Sequence, residues 1–294
     1  MTVPIVTSSD TSIRYKSDQA LPLLIIDSPK CHAVISLYGG QILEFNAKGK
    51  SPLLWLSPTA IFEQGQAIRG GVPICAPWFG PHSGEQEPGV KYPNHGFART
   101  SLWQQSACKT TEDDDIQISL ELTSNELTNK IYPHPFLMQL HFTLSDTLTI
   151  EFSIENNAQQ PIDCEWALHS YFAVDDIKAT TVTGLDNLSY IDKTRDNQRA
   201  TLTGDLTFNQ EVDRCFVKGS ATQTINATNP ITVTGSHCDS VITWNPGEPL
   251  SGKLIDIGTK YYHQFVCVER GAAFENKWLI APNQQQRATM ILSN

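Results

Sequence analysis

A two-residue hydrophobic period, repeated along the chain, constrains the fold more than any other feature. In 116–123, Ile116, Ile118, Leu120 and Leu122 alternate with Gln117, Ser119, Glu121 and Thr123. In 148–155, Leu148, Ile150, Phe152 and Ile154 alternate with polar residues, and in 136–144 Phe136, Met138, Leu140, Phe142 and Leu144 share one face. Successive side chains of an extended chain point to opposite sides, so each segment predicts a half-buried antiparallel strand. Shorter strands are predicted at 32–38, 164–174, 231–234, 241–244 and 265–269. Gly39-Gly40, Glu155-Asn156-Asn157, Thr183-Gly184 and Asn245-Pro246-Gly247 supply turns, and 112–115 an acidic hairpin tip. Helical periodicity is almost absent. One short helix is expected after Ser124, to about Ile131, ending before Pro133. The fold class is therefore all-β: a large antiparallel β-sandwich with few short helices.

The 294 residues contain no linker, no internal repeat and no low-complexity tract, so a single domain over 1–294 is expected. A chain of this length buries about three quarters of its unfolded surface and needs no covalent staples. Seven cysteines are widely spaced with no CxxC pair, which fits free thiols in a reducing compartment. The apolar run at 21–26 is too short for a signal segment and has no basic flank. No stretch approaches the roughly 20 apolar residues of a membrane span. A cytoplasmic protein is expected. The net charge of −10 makes nucleic acid and anionic membranes poor partners. It does not exclude a phosphorylated ligand, because screening acts over about 8 Å and placed arginines can override the global field locally.

Five groups of residues could carry chemistry. Arg69-Gly70-Gly71 lies within a long Pro-, Gly- and aromatic-rich stretch at 57–93. An arginine fork can grip a phosphate and glycines allow close approach, although a surface arginine before a tight turn reads the same way. In Asn94-His95-Gly96-Phe97-Ala98-Arg99, an extended chain would put His95, Phe97 and Arg99 on one face. His169 lies on the small, polar face of 164–174 with Glu165, Ala167 and Tyr171, either facing a cleft or held as a core histidine. Glu269 ends an apolar strand before Gly271, where desolvation would raise its pKa towards that of a general base, unless it pairs with Arg270. Asp213-Arg214 is an acid beside a base. His134 and His141 fall on opposite faces of one strand and make no metal pair. The six tryptophans are read mostly as core, with one free to stack on a sugar ring.

Taken in order, RGGVP at 69–73, APWFGPH at 76–82, NHGFAR at 94–99, WALHSYFAV at 166–174, VDR at 212–214 and Cys267-Val268-Glu269 resemble the glucose-6-phosphate 1-epimerases, hexose-6-phosphate mutarotases of the galactose mutarotase-like superfamily. The resemblance spans about residues 30–292. It implies a β-supersandwich with a concave active face, His169 as catalytic acid and Glu269 as catalytic base. It implies Arg69 and Arg99 as sugar-phosphate ligands, Asp213 on sugar hydroxyls, and His95 beside the ring. Position 94, often glutamine in that family, is here Asn94, a shorter amide that can still donate to a ligand. The implied activity is α/β anomer exchange of a hexose 6-phosphate, by acid–base opening and closing of the ring. It requires no cofactor and no metal, and the expected partner is a small sugar phosphate bound to a monomer. Two other readings stay open: an aldose 1-epimerase acting on neutral sugars, and a non-catalytic carbohydrate-binding protein on the same scaffold.

Overall fold

The computed structural model describes residues 2–7, 11–16, 21–85 and 88–294, with side chains from Thr11 onward. Among these residues the strands form sheets of five, nine, eight and two strands, each ladder antiparallel. The five-stranded sheet is a meander running from Thr2–Thr7 to Gln41–Ala47.

The nine-stranded sheet holds the three periodic segments as neighbours, Ile116–Thr123, Phe136–Leu144 and Leu148–Asn156. Ile118 lies opposite Phe142, and Phe142 opposite Ile150, so the apolar sets meet on one face. All three are buried, and each such side chain contributes about 1.5–3 kcal/mol.

That face packs against the eight-stranded sheet. Its order is Gln198–Thr201, Ser189–Asp192, Val212–Phe216, Ser240–Asn245, Phe265–Ala272, Trp166–Leu168 and Ile74–Cys75, with Tyr171–Ala173 also paired to Phe265–Ala272. One face gives Phe216, Val241, Val266, Val268, Trp166, Leu168 and Phe172 to the shared core. The other carries Cys215, Ile242, Cys267, Glu269, Ala167 and Tyr171. The period-two reading of 164–174 thus assigns the faces correctly.

Four local expectations are corrected. The segment 164–174 is not one strand. Cys164 closes a separate short strand, Ile162–Cys164, which pairs with Trp278–Ile280 in the two-stranded sheet. The chain then continues as Trp166–Leu168, breaks at His169-Ser170, and resumes as Tyr171–Ala173. At the break both the Ser170 N–H and its hydroxyl donate to the Leu168 carbonyl, a local bond that competes with the ladder.

The helix expected after Ser124 is reduced to a 3-10 turn at Thr128–Lys130, although the Asn125 side chain caps its start by accepting from the Leu127 and Thr128 N–H groups. Glu269 does not end its strand, which runs on to Ala272. Gly271 is there for contact rather than for a turn: a Cβ would lie 2.2 Å from the Trp166 carbonyl oxygen of the adjoining strand. His134 lies outside the Phe136–Leu144 strand that carries His141.

Candidate active site

The break at His169 leaves the register intact. Ala167 faces Gly271 and Tyr171 faces Cys267, so His169 falls opposite Glu269. The His169 N–H donates to the Pro73 carbonyl at 2.9 Å, fixing the backbone from the other side. His169 Nε2 lies 3.3 Å from Glu269 Oε1, and both side chains are almost fully buried.

All seven residues singled out above, His169, Glu269, Arg69, Asn94, His95, Arg99 and Asp213, line one cavity of about 200 Å³. Phe79, Lys193, Ile242 and Trp244 also line it. The imidazole of His169 stacks on Tyr171 at 4.8 Å, and the edge of Trp244 meets it at 5.8 Å. These aromatic walls exclude water and set the ring plane. His169 Nδ1 and Glu269 Oε2 are buried without a protein partner among the described residues, which leaves hydrogen-bonding capacity for a polar ligand.

Electrostatics follow from this burial. Desolvation, then the nearby His95, Arg99 and Arg69, hold His169 well below the usual histidine range. Desolvation, then the Asp213 carboxylate, pushes Glu269 well above the usual carboxylate range. Burial therefore favours a neutral imidazole beside a protonated carboxyl, and opposes the imidazolium that a catalytic acid at His169 implies. The two groups together hold one transferable proton.

Each shift costs stability on one side of the group's ordinary range. The unfolded chain takes up a proton at His169 below about pH 6.5 that the folded chain refuses, so stability is lost as pH falls through that range. The unfolded chain releases a proton from Glu269 above about pH 4.3 that the folded chain keeps, so stability is lost as pH rises from there. Glu269→Gln removes only the second penalty. The variant is expected to melt about 2 °C or more above the wild type at pH 7–8, with the gain vanishing towards pH 4, as followed by thermal unfolding across pH.

The supporting residues sit differently from the sequence expectation. His95 has φ 64° and Ala98–Thr100 is a 3-10 turn, so 94–99 is not extended. Phe97 leaves the site and packs on Trp78 and Phe136 in the core. His95 Nδ1 accepts from the Gly80 N–H at 3.1 Å, which assigns the ring proton to Nε2, and burial followed by Arg99 lowers its pKa to about 2. Gly70 and Gly71 approach neighbouring backbone, not a ligand: a Cβ would lie 2.5 Å from the Trp55 carbonyl at Gly70 and 2.2 Å from that of Ile42 at Gly71.

Arg69 Nε donates to Asp256 at 2.9 Å and Nη1 to the Tyr171 hydroxyl at 2.8 Å. Arg99 Nη2 donates only to the Asn94 carbonyl, at 2.9 Å, among the described residues. Asp213 faces Lys193 at 3.0 Å. Arg270, the alternative partner of Glu269, points to the core side and donates to Ser220, Gln223 and Cys238. Sequence reasoning missed Lys193, Tyr171 as the histidine's stacking partner, and Asp256. Lys193 and Asp256 lie outside every motif, and Tyr171, though inside the 166–174 motif, was read only as sharing the His169 face. Among the described residues no group of three or more His, Cys, Asp and Glu side chains is placed to hold a metal.

A family model described as aldose 1-epimerase matches residues 22–293. The chain belongs to the aldose 1-epimerase family. An Escherichia coli K12 protein named "Putative glucose-6-phosphate 1-epimerase" is 35% identical over 94% of this chain and 91% of its own. The crystal structure of a "putative mutarotase" from Salmonella typhimurium is 33% identical, with a TM-score of 0.87 over 98% of this chain and 94% of that one. A galactose mutarotase-like protein of Clostridium acetobutylicum shares the fold at 16% identity, with a TM-score of 0.77 over 97% of this chain and 98% of that one. The all-β fold of this aldose 1-epimerase family member is thus the galactose mutarotase-like one, and the family is one of isomerases.

Proposed function

We propose that this protein interconverts the α and β anomers of a hexose 6-phosphate, D-glucose 6-phosphate first among them. The observation that carries the reading is the 3.3 Å approach of His169 Nε2 to Glu269 Oε1 inside one cavity. Ring opening needs a proton taken from the anomeric hydroxyl and a proton given to the ring oxygen. Those two oxygens share one carbon, and the spacing of the pair suits them both.

Glu269 takes the hydroxyl proton and His169 gives its proton to the ring oxygen. The bond from carbon 1 to the ring oxygen breaks as the carbonyl forms. The negative phosphate of the bound substrate favours the proton on His169, offsetting the burial that opposes it. The aldehyde turns about its bond to carbon 2, and closure on the opposite carbonyl face returns both protons. Each positioned group contributes about 10²–10⁴-fold. His95 and Asp213 hold sugar hydroxyls, Asn94 donates its amide, Arg99 supplies positive charge for the phosphate, and Arg69, held by Asp256 and Tyr171, supports the cavity wall.

The relative named for glucose 6-phosphate supports the phosphorylated substrate. The described cysteines, all free and mostly buried, support a cytoplasmic site of action, and we take the working unit to be a single-domain monomer without cofactor. Anomer-exchange NMR on glucose 6-phosphate, glucose and galactose tests the reading. Exchange fastest on the 6-phosphate is expected. Faster exchange of a free aldose would make the protein a neutral-sugar epimerase, and no exchange of any would make it a binding protein.

A further inference from the structure

We propose that Lys193 is a positioning residue of the sugar site, whose ammonium fixes the Asp213 carboxylate in place to accept hydrogen bonds from sugar hydroxyls. The inference rests on the reading of Asp213 as a sugar ligand. Ser189–Asp192 pairs with Val212–Phe216, and Asp192 lies opposite Arg214. The next residue, Lys193, therefore comes to Asp213 one step beyond the ladder. Its backbone is pinned there by a 3-10 turn, in which the Asp192 carboxylate accepts from the Thr194 N–H and hydroxyl. The ammonium lies 3.0 Å from Asp213 Oδ2 and 5.3 Å from the centre of the Phe79 ring. Two contacts thus hold a flexible side chain in one place at the cavity wall.

The charges around Asp213 make Lys193 hard to replace. Burial raises the Asp213 carboxyl, Asp192 raises it further, and Lys193 is the cation that opposes them. Glu211 lies on the same strand's approach, while Glu269 and Cys267 feel Asp213 from the other side. Arg69 and Arg99 line the same cavity but are bonded to Asp256, Tyr171 and the Asn94 carbonyl. Loss of Lys193 leaves Asp213 among acids, and it takes up a proton at higher pH.

The test compares Lys193→Met, Lys193→Arg and wild type in anomer exchange across pH. Taking the ratio of variant to wild type cancels the ionisation of the substrate. Lys193→Met is expected to lose about 10- to 100-fold in kcat/KM, with a deeper loss on the acid side, on glucose 6-phosphate and on any free sugar the wild type turns over. Lys193→Arg is expected to restore most of it. The Asp213 carboxyl ¹³C resonance should titrate at higher pH in Lys193→Met. A ratio independent of pH, or an unmoved Asp213 titration, overturns the proposal, as does a loss confined to phosphorylated sugar, which would make Lys193 a phosphate contact. Wild type inactive on every sugar would instead overturn the reading of the site on which the proposal rests.

Discussion

Glu269→Gln is expected to slow anomer exchange of glucose 6-phosphate by about 10²–10⁴-fold while leaving the fold intact. The amide keeps the shape and can still donate towards His169 Nε2, but it cannot take the hydroxyl proton. His169→Asn should fall by a similar factor, because the ring oxygen then leaves without a proton. The double variant should be little worse than the slower single one. The two groups pass one proton between them, and removing either stops the device. Steady-state exchange rates of the three variants, read beside their circular dichroism, decide this. A loss below tenfold in Glu269→Gln would take the carboxylate out of the chemistry.

The two arginines should part company. Arg99 has donors to spare, since its one bond among the described residues goes to a main-chain carbonyl. Arg69 is committed to Asp256 and Tyr171. Arg99→Ala is therefore expected to cut kcat/KM on glucose 6-phosphate by about 10- to 150-fold, the worth of a hydrogen bond to a charged group from a half-buried arginine, and to spare free glucose. Arg69→Ala strands a carboxylate and a hydroxyl. It should lower stability by about 2–4 kcal/mol and affect both substrates alike. Parallel kinetics on the two sugars with urea unfolding separates the cases. Equal, phosphate-selective losses in both variants would show that Arg69 leaves Asp256 to bind substrate.

Much of the architecture was legible in the chain because the strands of the nine-stranded sheet are half-buried, and half-burial writes a period of two. The same alternation placed His169 and Tyr171 opposite the Trp166, Leu168 and Phe172 core face. The pocket strands were harder to read, since Phe265–Ala272 is buried on both faces and shows no alternation. The conformation of 94–99 was missed because a left-handed His95 leaves no hydrophobic signature. Seven of the residues that line the cavity were picked out by motif order, whereas Lys193 and Asp256 depend on register and ion pairing, which no local pattern encodes. The raised Glu269 carboxyl was foreseen from its apolar strand, but the lowered His169 was hidden, because it follows from burial that only the folded chain creates.

A crystal structure with glucose 6-phosphate bound would put the acid–base pair to the proof. The sugar is expected in the cavity between Trp244 and Phe79, with the anomeric hydroxyl and the ring oxygen each within hydrogen-bonding reach of Glu269 or His169, and the phosphate on Arg99. A sugar seated with carbon 1 turned away from that pair, or held elsewhere on the molecule, would leave His169 and Glu269 without the role assigned to them.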